Sequence, residues 1–70
     1  MNEIIFLVEE DESEGGLFAR ALSESIYTQG DDIHELRCNI KDAVNCHFEN
    51  NANKPKMIRL HFVHDEVMAA

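Results

Sequence analysis

The sequence predicts an α+β fold, a two-layer βββαβ sandwich in which one helix covers one face of a small sheet. Three observations carry this. Before Gly30, three short extended patterns, the first and third rich in β-branched and aromatic residues, are separated by glycine and serine turns. After Asp31-Asp32, the apolar positions fall at helical steps. From Met57 they return to a period of two. The 70 residues suit one domain spanning 1–70. A domain this small removes only roughly 60% of its unfolded surface from water, so a homodimer or higher homo-oligomer is expected to supplement the thin core.

The first strand is expected at residues 3–8, Glu-Ile-Ile-Phe-Leu-Val, ending where the acids Glu9, Glu10, Asp11, Glu12 and Glu14 crowd together. Ile4, Phe6 and Val8 lie on one alternation set and Ile5 and Leu7 on the other. Both faces are thus expected to be covered, through a central position or a subunit contact. Gly15-Gly16 permits positive φ, so residues 17–22 form the returning strand of a hairpin with an acidic tip. Ser23-Glu24 marks a second turn, and residues 25–29, closed by Gly30, supply a third strand. Three consecutive strands make a meander.

Asp32 can cap a helix by accepting a first-turn N–H, and Glu35 three residues on can reach back. Ile33, Leu36, Ile40, Ala43 and Val44 form one apolar stripe with His47 below it, and the stripe must face the sheet. Asn50-Asn51-Ala52-Asn53 and Pro55 stop a helix of about 18 residues. In the fourth strand, Ile58, Leu60 and Phe62 alternate with Arg59 and His61, and the pattern runs through Val63 toward Val67. Its far end is expected to reach past its own subunit onto a neighbour's edge. The second face of the sheet is left open.

Residues 1–35 hold ten acids and one base, a charge of −9, and residues 36–70 hold four acids and five bases, a charge of +1. Their sum is the net −8. Such a field repels phosphate backbones, so direct nucleic-acid binding is not expected. It keeps a small protein dispersed, and it also suits a basic protein partner. The longest apolar run, residues 4–8, falls far short of the ~20 residues that cross a bilayer, and no basic region precedes it. The chain is therefore expected to be neither membrane-spanning nor secreted. Two cysteines without a disulfide framework fit a reducing compartment, the cytoplasm.

Catalytic and metal chemistry find little support. His34 and Cys38 are one helical turn apart, but no third ligand is set by local sequence, and no metal is expected. Cys38 and Cys46 lie roughly 12 Å apart along a helix, too far to bridge. His61 and His64 point to opposite faces of a strand. No base is set against a nucleophile, Gly15-Gly16 is too short for a phosphate loop, and the early acids sit on a hairpin tip or at a helix cap. No enzyme, cofactor or catalytic residue is expected. The candidate partner-binding residues are Glu9, Glu10, Asp11, Glu12 and Glu14 as electrostatic contacts and Tyr27 as an aromatic anchor. The alternative is a small-molecule-binding or weakly enzymatic homo-oligomer with His47 or His61 lining a shared pocket.

Two stretches carry a family likeness: Glu14-Gly15-Gly16-Leu17-Phe18-Ala19-Arg20-Ala21, and Tyr27-Thr28-Gln29-Gly30-Asp31-Asp32-Ile33-His34-Glu35-Leu36. Over about residues 3–50 the chain resembles the HicB-like antitoxins of bacterial toxin–antitoxin pairs. In that family the second stretch typically reads Thr-x-Gly-Asp-Thr ahead of a helix with an early Glu, and Asp32 takes the place of the capping threonine. The resemblance implies a partly degenerate RNase H-like fold without nuclease activity. It also implies a partner, a small basic HicA-type toxin that cleaves RNA through a catalytic histidine and is covered by its antitoxin. Family members usually continue into a helix-turn-helix or ribbon-helix-helix domain that binds operator DNA. Here residues 53–63 read as another strand and the sequence closes at residues 65–70, so a short form lacking the C-terminal DNA-binding domain is expected, which leaves operator binding open.

Overall fold

The computed structural model describes residues 2–49, 53–64 and 66–70. Four strands and one helix are seen: β1 (Glu3–Glu10), β2 (Leu17–Ala21), β3 (Tyr27–Gly30), α1 (Ile33–His47) and β4 (Met57–Phe62). They form an α+β fold with one mixed sheet in the order β3-β2-β1-β4. β1, β2 and β3 are antiparallel neighbours, and β4 lies parallel to β1. A parallel neighbour demands a crossover connection, and α1 supplies it.

The core lies between the sheet and α1. Ile4, Phe6 and Val8 of β1 and Ala19 and Ala21 of β2 meet Leu36, Ile40 and Val44 of α1, with Ile26 and Phe48 closing the ends. Ile4, Phe6 and Leu36 are each 0% exposed, and each contributes about 1.5–3 kcal/mol by leaving water. Alanines on β2 let the helix approach, and glycine lets it come closer still. A Cβ on Gly30 would stand 2.6 Å from the backbone N of Leu36, so no side chain fits where β3 hands over to α1. Asn39 adds a tie between these elements by donating from Nδ2 to the Gln29 carbonyl at 2.7 Å.

Several predicted boundaries move, each for a local reason. β1 runs two residues further than residues 3–8, because the ladder with β2 continues through Glu9 opposite Phe18 and Glu10 opposite Leu17. Backbone pairing sets the strand there, while the carboxylates reach water. β2 stops at Ala21 and β3 starts at Tyr27, as the chain bends over residues 22–25. α1 has 15 residues. It is shorter than predicted because Phe48 leaves helical geometry at φ −103 and turns its ring into the core. Of the asparagine stop, only Asn53 falls within the described residues.

β4 ends at Phe62. One more ladder bond follows, from the Val63 N–H to the Val8 carbonyl at 2.9 Å, and Val67 lies outside the strand at 96% exposure. The central place of β1 accounts for its apolar run, yet only one face is covered within the chain. Ile5 and Leu7 are half-buried on the uncovered face.

Candidate functional site

The Asp11 carboxylate organises the β1–β2 turn. It accepts from the Ser13 N–H at 3.0 Å, the Ser13 hydroxyl at 2.9 Å and the Glu14 N–H at 3.2 Å. The hydroxyl and these N–H groups hold the Asp11 carboxyl below its ordinary range. Gly15 and Gly16 take φ of +79 and +84 and return the chain, with the Asp11 N–H donating to the Gly16 carbonyl at 3.0 Å. A Cβ on Gly16 would lie 2.8 Å from the Gly30 carbonyl oxygen, so the hairpin tip rests against the end of β3.

That contact brings together acids far apart in sequence. In a meander, the end of the first strand, the start of the second and the end of the third share one end of the sheet, and Leu17 pairs with Gly30 there. One cleft of about 150 Å³ is lined by Asp11, Glu14, Asp31 and Glu35. A shallower depression beside it involves Glu10, Glu12 and Asp32. Glu9, Glu10 and Glu12 also border the point where Val63 and His64 leave β4. Asp32 caps α1 by accepting from the Glu35 N–H at 2.8 Å, and the Glu35 carboxylate accepts from the Asp31 N–H at 3.4 Å, one residue before the predicted capping-box partner.

Tyr27 stands on the open face of the sheet, 62% exposed, with its ring stacked against Phe18 at 6.0 Å between centroids. Glu9 pairs with Phe18 across the ladder and shares that face, whereas Glu10 points to the helix side. The six predicted binding residues therefore divide between the open face of the sheet and its acidic end. Glu9 and Tyr27 flank Phe18 on the open face, Asp11 is engaged by its own turn, and Glu10, Glu12 and Glu14 ring the acidic end. Asp31, Asp32, Glu35 and Phe18 complete the surface and were not singled out from sequence. Their signal was the rule that alternate connections of a meander share an end.

The same open face carries an ion pair at its β1–β4 edge. Arg59 on β4 donates to the Glu3 carboxylate through Nε and, at 3.2 Å, through Nη2. The guanidinium hydrogen bonds hold the Glu3 carboxyl below its ordinary value.

The histidines do not converge. His47, predicted on the buried stripe, instead turns outward and meets Glu24 Oε2 at 3.2 Å, because Phe48 takes the inward place of the last turn. His61 sits exposed on β4, and neither histidine lines a described pocket with the other. Cys38 and Cys46 are free and exposed. Among the described residues no group of three or more His, Cys, Asp or Glu is arranged to hold a metal ion, and no helix is long and apolar enough to cross a membrane.

A UPF0150 protein of Archaeoglobus fulgidus is 50% identical to this chain over 54 residues, covering 77% of each. A UPF0150 protein of Thermotoga maritima is 45% identical over 67 residues, covering 96% of this chain and 91% of that protein. No family model matches the chain, and no solved structure does.

Proposed function

This chain belongs to the UPF0150 family, and we propose that it is a HicB-like antitoxin module that binds and neutralises a small basic HicA-type, RNA-cleaving toxin. In this reading it works in the cytoplasm, has no catalytic activity or cofactor and binds no nucleic acid directly. Its fold is a partly degenerate RNase H-like one, a reading supported by the mixed sheet and its crossover helix. The observation that carries the proposal is the acidic end: carboxylates from the β1–β2 turn and the β3–α1 junction stand together beside the half-buried Phe18 and the exposed Tyr27 stacked on it. Long-range charge speeds encounter with a basic surface, and a partly exposed aromatic pair offers apolar area once the two meet.

The test uses the full chain and a basic HicA-type toxin. Glu10, Glu12 and Glu14 are exposed, and none of their carboxylates holds the turn together. The triple variant Glu10→Gln/Glu12→Gln/Glu14→Gln should keep its fold and slow association about tenfold, with a weaker dependence on salt. Unmodified chain should suppress the toxin's RNA cleavage at one-to-one stoichiometry. Full cleavage in the presence of excess chain overturns the proposal.

A further inference from the structure

α1 lies over β3 and β2, nearer to them than to β4, and this offset leaves the helix-side face of the edge strand short of cover. Between α1 and β4 runs a groove of about 220 Å³ floored by Ile40, Ile58 and Leu60 and bordered by Arg37 and Lys41. Ile58 and Leu60 touch the core but remain half-buried, and Phe62, next along the same face, is 53% exposed. Among the described residues neither Arg37 nor Lys41 meets an acidic side chain. A chain of net charge −8 thus leaves two of its six bases beside an apolar trough.

The segment after β4 has the complementary character. Val67 and Met68 are 96% and 79% exposed, and Glu66 precedes them. The molecule measures 52 Å along its longest axis and 20 and 18 Å across. An eight-residue strand such as β1 accounts for only about 27 Å of that length, so the tail stands away from the body. β4 runs toward the acidic end, where Val63 and His64 leave it, and the groove lies behind that point, along β4. The tail would have to double back on itself to reach its own groove.

We infer that the α1–β4 groove is the seat for the tail of a second copy of this chain. Val67 and Met68 of each subunit lie over Ile58 and Leu60 of the other, and Glu66 approaches Arg37 and Lys41. A two-fold arrangement is self-complementary, since each copy carries one groove and one tail. From Phe62 to Met68 an extended chain spans roughly 20 Å, enough to cross from one β4 edge to a neighbour's groove. This inference is independent of the toxin reading, since the acidic end takes no part in it.

Sedimentation equilibrium of the full chain at moderate salt tests it. The unmodified chain should be a dimer, and Val67→Asp/Met68→Asp should weaken self-association by more than about a hundredfold, since each dimer loses the burial of four apolar side chains. Both positions lie outside every strand and helix, so the far-UV circular dichroism should be unchanged. Lys41→Glu and Glu66→Lys should each weaken the dimer, and the two together in one chain should restore it. A chain that stays monomeric at all concentrations overturns the inference, whether its own tail or another protein takes the groove. So does a dimer untouched by the tail substitutions.

Discussion

Asp11 shows how one carboxylate can be fixed by a turn and still serve a surface. Its oxygen gathers the Ser13 hydroxyl and the N–H groups of Ser13 and Glu14, while its charge remains at the acidic end. Because these bonds depress the native pKa below the ordinary 3.8, the folded state binds fewer protons than the unfolded state just below that value. The contribution to stability is therefore present above the unfolded pKa and lost as pH falls through the native one. Asp11→Asn, whose neutral amide oxygen accepts more weakly than the carboxylate, should lower urea-unfolding stability on the neutral side, leave the acid side little changed and so flatten the acid-side fall. Sequence density singled out the acids as a group but not Asp11 as the one tied down, because an Asp two residues before a Ser becomes a turn only once Gly15-Gly16 closes the chain.

At the scale of the elements, α1 was the most legible. Its cap at Asp32 and its stripe of Leu36, Ile40 and Val44 follow from residue spacing alone. Its last turn was not, since steps of three and four from Val44 reach His47 and Phe48 respectively. Phe48 takes the inside place because a phenyl ring loses nothing by leaving water, whereas His47 keeps solvent and Glu24. Leu36, fully buried and beside Gly30 at the end of β3, anchors the element. Leu36→Ala should destabilise the fold by about 2–5 kcal/mol in chemical denaturation. β1 was legible as a strand but not in length, because Glu9 and Glu10 satisfy the ladder through their backbones and water through their side chains.

For the whole molecule, alternation along a strand cannot say whether its neighbour is parallel, so the placement of β4 beside β1 emerges only from the crossover. The gathering of the acidic end is likewise a property of topology. Asp31 and Glu35 meet Asp11 and Glu14 because two antiparallel steps bring the chain back to the same end. Eight of the ten acids of residues 1–35, all but Glu3 and Glu24, gather at one negative pole, and the groove with its two bases lies elsewhere, between α1 and β4. The acidic end and the groove are thus separate parts of the surface, and in the proposed function the basic protein meets the first.

Amide chemical-shift mapping tests that assignment most directly. A catalytically silent basic HicA-type toxin is titrated into isotope-labelled chain, and the predicted shifts fall at residues 9–18, at Tyr27 and at residues 31–35. Shifts confined to α1 and β4 around Lys41 and Leu60, or none at equimolar toxin, would contradict it.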